Sequence, residues 1–357
     1  MHKLPGFDPL RLVAASAVVF THAFLIAEGV EENEPFQHLT GQNIGLAGVY
    51  VFFVLSGYLI SESARQSQDL SSFAIRRAAR ILPGFLVCNL VVTLVVGVFF
   101  GEPSGREFLT QGTTWWHLFE VYAFQAKNLY YDGVLFYPAT ASNDWMPHLV
   151  NGVLWTIRQE ITCYLFVAMI LVLGLHGWRA AGIAIVSTAL LASVFVMRPS
   201  LWSVQYLSDL AFVAPSFAAG VCLNAFGRRH LAKGWGAAAL TLVLLILALA
   251  WEGWAARANL LFPVLAAYPL LYIGQRDAPI LRSYARGGDP SYGIYLWGWP
   301  ITQMLRAYVG PGWTGYELAA LALPVVIGVG YASWFLIEKP VLRAAGRQLA
   351  QRRLSLS

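Results

Sequence analysis

Charge is scarce in this chain: only 12% of its 357 residues are Asp, Glu, Lys or Arg, about half of what a soluble globular domain carries. That scarcity excludes an ordinary soluble enzyme and equally a charged, disordered chain. Cysteine is scarcer still. Cys88, Cys163 and Cys222 all fall in apolar runs, so they read as small buried residues and not as a disulfide framework or a metal site. No internal repeat is visible, which removes the inverted-repeat signature of many secondary transporters. The N-terminus has one Lys, no small-residue cleavage pattern, and both an Arg and a His inside its first apolar run. A cleavable signal peptide is not expected there.

What is abundant is hydrocarbon. Hydrophobic residues make up 57% of the chain and the mean hydropathy is +0.57. They come in blocks of about 18 to 22, the length that crosses ~30 Å of bilayer core. Blocks near 9–29, 43–62, 82–100, 149–175, 179–197, 205–226, 234–251, 258–275, 290–308 and 316–337 predict an all-α, polytopic helical membrane protein with about ten transmembrane helices. Residues 1–357 read as a single transmembrane domain.

With the N-terminus inside, the inner segments collect 18 of the 24 Lys and Arg residues, including Lys3, Arg76, Arg77, Arg80, Arg228, Arg229 and Lys233. Only Arg106, Lys127, Arg198, Arg257 and Arg306 fall outside. The positive-inside rule then puts both termini in the cytoplasm, and the net charge of +5 marks a membrane face, not a nucleic-acid partner. The longest non-spanning stretch, 101–148, falls outside and holds Trp115, Trp116, Tyr122, Tyr130, Tyr131, Tyr137 and Trp145. It reads equally as an interfacial aromatic belt and as a platform on which sugar rings stack.

Three sites carry ionisable groups where a bilayer makes them costly. In "LRLVAASAVVFTHAFLIA", Arg11 and His22 are 11 residues apart, which puts them on one helix face about 16 Å apart along the axis. Asp8 lies on much the same stripe. In "LWTIRQEITCY", Arg158 and Glu160 are expected about 10 residues into a span, ~15 Å deep, with Glu160 and Tyr164 sharing a face. A structural ion pair, Arg11 or Arg158 with Glu160, is one reading of these charges, and catalysis is the other. In "SSFAIRRAARILPGF", Arg76, Arg77 and Arg80 sit on one helical turn. Ordinary positive-inside topology accounts for them, and so does phosphate binding, because each guanidinium can grip an oxyanion bidentately.

Taken together, the sites suggest a route. A phosphate-bearing donor such as acyl-coenzyme A would be held by the arginines while its pantetheine arm carries the thioester inward. His22 would then take the proton from an acceptor hydroxyl as that hydroxyl attacks. Runner-up readings are a transporter or flippase with Arg11, Arg158 and Glu160 lining its path, and a scaffold whose buried charges only lock helices.

The chain resembles the acyltransferase-3 family of integral membrane O-acyltransferases over nearly its whole length. The likeness rests on six stretches in order: "FDPLRLVAASAVVFTH", "GVYVFFVLSGYLI", "FAIRRAARILP", "LWTIRQEITCY", "SYGIYLWGWPI" and "IEKPVLR". It implies transfer of an acyl group, most often acetyl, from acetyl-CoA or another acyl-CoA to a hydroxyl, usually of a cell-surface or lipid-linked carbohydrate, and in some relatives of a non-carbohydrate small molecule. It maps the family's histidine and arginines onto His22, Arg11, Arg77 and Arg80. With the turn read above, His22 and Glu160 are the expected catalytic residues, Glu160 orienting His22, pairing with an arginine or binding acceptor hydroxyls, and Arg11, Arg76, Arg77 and Arg80 are expected at the donor. Ser56, Trp155, Arg158, Tyr164 and Tyr295 would face the acceptor, with no metal. A bacterial inner membrane is the expected location. One departure stands out: many relatives have a histidine after Tyr-Leu-Trp, where this chain has Gly298.

Overall fold

A computed structural model of the chain describes residues 5–67, 69–102, 105–138, 144–226, 234–251 and 253–356. Lys3, Arg228, Arg229 and Lys233 lie outside the described residues, as do 103–104 and 139–143 of the long aromatic stretch. The helices are α1 Phe7–Glu28, α2 Pro35–Thr40, α3 Ile44–Arg65, α4 Leu70–Phe99, α5 Arg106–Thr110, α6 Gly112–Tyr122, α7 Trp155–Val172 and α8 Trp178–Met197. They continue with α9 Gln205–Phe226, α10 Trp235–Leu249, α11 Ala258–Gly274, α12 Pro279–Gly287, α13 Ser291–Val309, α14 Gly315–Ser333 and α15 Lys339–Leu356.

Each of the ten expected apolar blocks is helical over most of its length, and the protein is a polytopic helical membrane protein. Among the described residues, seven helices are long and apolar enough to span by themselves. An eighth candidate is α11 with α12, bent by 89° between them. Helix α10 is short at 15 residues, and α13 is more polar, carrying Thr302, Gln303 and Arg306, all buried.

One expectation is corrected. The block at 149–175 does not begin as a helix: Leu149–Asn151 is a strand, and α7 starts at Trp155. Arg158 and Glu160 therefore sit in its first two turns, about 5 to 8 Å from its start, not ~15 Å in.

The fold divides into two compact units. The first comprises Met1–Ala14, Phe36–Ala74 and Gln159–Asp289. Between apolar helices in lipid there is little hydrophobic drive, so close packing at small residues must do the holding. Gly57 on α3 and Gly220 on α9 meet this need. A Cβ at Gly57 would lie 2.1 Å from the Phe217 carbonyl oxygen, and one at Gly220 would lie 2.1 Å from that of Val54. The start of α1 is seated the same way, with the Phe7 ring against Gly274 at the end of α11.

The second unit comprises Ala15–Pro35, Ile75–Arg158 and Pro290–Ser357. Here α13 packs on α14 through Gly293 and Gly330, and α1 packs on α14 through Phe24 against Gly315. Glu28 at the end of α1 accepts from the Gly315 amide at 2.7 Å, beside a Thr314–Glu317 capping box. A carboxylate at a helix N-terminus both satisfies an orphan N–H and meets the positive end of the dipole.

Pro300 lies inside α13, so the Leu296 carbonyl loses its helical donor. Asn151 Nδ2 donates to it instead at 3.2 Å, with Cys88 Sγ at 3.6 Å. Asn151 belongs to the strand Leu149–Asn151, which pairs antiparallel with Leu129–Tyr130. Part of the long aromatic stretch is therefore a small hairpin buried against helices, where irregular backbone in a membrane protein can be satisfied. The aromatic residues divide accordingly. Tyr131 and Tyr137 are buried, and Trp115, Trp116 and Trp145 are exposed.

Candidate active site

His22 lies on α1 between buried neighbours, Thr21 and Ala23. Its ring meets the edge of Trp299 at a centroid distance of 4.8 Å and an interplanar angle of 73°. The ring is partly exposed, yet Nδ1 is shielded and has no hydrogen-bond partner among the described residues. Trp299 is itself fixed: its indole Nε1 donates to the Leu149 carbonyl at 3.1 Å. The hairpin thus determines where the Trp299 ring points, and Trp299 forms one wall of the His22 site. Gly298 faces α1. A Cβ there would lie 2.7 Å from Val19 Cγ2, so the missing side chain is what lets α13 approach α1 so closely.

The arginines occupy the first turns of α4, which runs 30 residues, or about 45 Å. That exceeds the hydrocarbon core by about 15 Å, so Arg76, Arg77 and Arg80 ride on a rigid extension of the span. All three are partly buried. Arg80 Nη1 lies 3.8 Å from Glu338 Oε2, and its guanidinium sits 5.9 Å from the ring centres of both Tyr292 and Trp334. Glu338 is fully buried and also accepts from Ser333 Oγ at 3.1 Å. It closes a π-helical turn, Trp334–Glu338, between α14 and α15. Such turns inside helices often mark functional sites.

Other expected site residues are engaged within the protein. Tyr295 OH donates to the Val153 carbonyl at 3.0 Å and pairs with the Thr156 hydroxyl at 2.6 Å, tying α13 to the start of α7. Trp155, partly buried, faces Lys127 Nζ at 5.8 Å from its ring centre. Arg158 follows on the same helix, partly buried.

In the first unit, Arg11 pairs with Asp289 at 3.1 Å and lies 3.9 Å from Asp8. Glu160 accepts from Tyr164 OH at 2.6 Å, and no ion pair reaches it among the described residues. The pairing of Glu160 with an arginine is therefore not what the structure shows. Ser56 is partly buried beside Gly57 on α3.

Sequence reading missed Trp299, Asp289 and the hairpin strand. Only the hairpin strand had a hint in the sequence, Pro300, since a proline inside a buried helix requires an outside donor for the carbonyl it strands.

The acyltransferase domain profile matches residues 4–338. Nodulation protein 10 of Rhizobium leguminosarum bv. viciae is 28% identical over 99% of this chain and 96% of its own. The O-acetyl transferase of Shigella phage Sf6 is 26% identical over 98% of this chain and 99% of its own. A putative O-acetyltransferase of Staphylococcus aureus strain COL is 27% identical over 61% of this chain and 36% of its own. No solved structure matches. On the strength of a profile match covering nearly every helix described above, the chain belongs to the acyltransferase-3 family.

Proposed function

We propose that the protein is an O-acetyltransferase that moves an acyl group from cytoplasmic acyl-CoA to a hydroxyl of a cell-surface or lipid-linked carbohydrate, with His22 as general base. The observation that carries this reading is the shielded Nδ1 of His22, uncommitted to any protein partner beside a Trp299 ring fixed by Leu149. A buried polar atom without a partner is costly and rare, and a base awaiting a hydroxyl explains it. Imidazole takes the proton of the acceptor hydroxyl as its oxygen attacks the thioester carbonyl. The C–S bond then breaks, and the same proton is handed to the departing thiolate.

Arg76, Arg77 and Arg80 are the donor's phosphate contacts in this reading, supported by their clustering on the extended end of α4. Arg11 joins them, although Asp289 and Asp8 already hold it. Glu160 with Tyr164, and Ser56, Trp155, Arg158 and Tyr295, serve the acceptor. No metal takes part. The family and the name of the phage relative support O-acetyl transfer, and the bias of basic residues supports a bacterial inner membrane with both termini inside.

The test is incubation of the purified protein with labelled acetyl-CoA and a panel of bacterial glycans. Label on a glycan hydroxyl supports the reading. Substrate flux through sealed vesicles without coenzyme A, and no label transfer, would replace it with the transporter reading.

A further inference from the structure

Three polar side chains of the second unit take no part in the proposed reaction. Gln303 is 0% exposed, Tyr137 8% and Arg306 9%. Each has a polar atom without a hydrogen-bond partner among the described residues: Gln303 Oε1, the Tyr137 hydroxyl and Arg306 Nε. They lie together. The Arg306 guanidinium is 5.1 Å from the centre of the Tyr137 ring. Burial pushes the Tyr137 hydroxyl up to about 12, with the Arg306 charge and the nearby Gln303 amide pulling against it.

Gln303 and Arg306 are each anchored through one nitrogen. Gln303 Nε2 donates to the carbonyls of Met146 and Leu149 at 2.8 and 3.1 Å. Arg306 Nη1 donates to the Gly310 carbonyl at 2.6 Å. No carboxylate pairs with Arg306 among the described residues. Buried charges in proteins are otherwise paired, so the complement here must come from elsewhere. Gln303 and Arg306 stand four and seven residues beyond Trp299 on one stripe of α13, about 6 and 10 Å further along its axis. Gln303 shares the Leu149 carbonyl with Trp299, the residue that walls His22.

We propose that Tyr137, Gln303 and Arg306 form an acceptor subsite for an acidic carbohydrate, with Arg306 facing its oxyanion. Sugar hydroxyls both donate and accept, so one can donate to Gln303 Oε1 while another exchanges with the Tyr137 hydroxyl. The negative group, a carboxylate or a phosphate, supplies the charge that Arg306 lacks. This rests on the reading of the protein as a carbohydrate O-acetyltransferase, and it names the acceptor class.

The experiment uses full-length protein, labelled acetyl-CoA and three probes: methyl glucoside, methyl glucuronide and glucose 1-phosphate. The expected result is at least tenfold higher kcat/KM for one acidic sugar than for the neutral one, and the two acidic arms say which oxyanion is read. In Arg306→Gln the ratio of acidic to neutral transfer falls to near one, and Arg306→Lys recovers part of it. Retention of acetyl-CoA-dependent thermal stabilisation in both variants reports that they are folded. Equal transfer to neutral and acidic sugars by the wild-type protein, or a ratio preserved in Arg306→Gln, overturns the subsite alone. Transfer to none of the three, with no stabilisation by acetyl-CoA, overturns the functional reading and the subsite with it.

Discussion

Substituting Asn151 tests how the hairpin is locked to α13. In Asn151→Leu, Nδ2 no longer reaches the Leu296 carbonyl at 3.2 Å or Asn89 Oδ1 at 3.3 Å. Asn89 and Asn151 are both 0% exposed, so no water replaces the lost donor. Each buried acceptor left unsatisfied costs about 1–3 kcal/mol, and the weak Cys88 thiol contact recovers little of the first. The expected loss is about 2–5 kcal/mol. A second substitution identifies the cause. Pro300→Ala restores a backbone N–H to α13, which can take up the Leu296 carbonyl in the ordinary helical way. The Asn151→Leu loss measured in that background should shrink by about 1–3 kcal/mol, a coupling read from a double-mutant cycle. The assay is reversible SDS unfolding in mixed micelles on the four proteins. Strict additivity would show that Asn151 does not serve the carbonyl freed by Pro300, and the account of the hairpin would fall.

Other perturbations have equally definite outcomes. Glu338→Gln keeps an acceptor for Ser333 but leaves Arg80 beside an uncharged group in a buried box, so stability should drop by about 3–5 kcal/mol. Glu338→Asp should recover part of it, and an unchanged midpoint in thermal unfolding would mean the pair is not formed. Gly298→His forces a side chain into Val19, at a cost of about 1–3 kcal/mol for overpacking. Val19→Ala should relieve it, and a Gly298→His protein as stable as wild type would show that α1 and α13 are not so closely packed.

Much of this was legible in the sequence because the helices are long and apolar, and a bilayer imposes that length. The ten blocks, the position of His22 and the arginine turn all came from hydropathy and spacing. What was not legible depended on partners far along the chain. Asp289 reaches Arg11 across 278 positions, and nothing local announces it. Leu149–Val153 is as apolar as the span it precedes, and a window average cannot tell a strand buried in protein from a helix. The same averaging hides why α13 is polar. Its Gln303 and Arg306 are buried in protein, and a hydropathy average counts them as polar without showing what they face. The aromatic stretch 101–148 offered two readings, and the structure divides it by residue: Tyr131 and Tyr137 are interior, whereas Trp115 and Trp116 face outward.

The central claim is that the imidazole of His22 removes the acceptor proton, and single-turnover transfer from labelled acetyl-CoA by wild-type and His22→Ala proteins measures it. Loss of a general base should slow the chemical step by roughly 10²–10⁴-fold, with acetyl-CoA still raising the thermal midpoint of the variant as it does for the wild type. A His22→Ala protein that acetylates its acceptor at the wild-type rate would contradict the account.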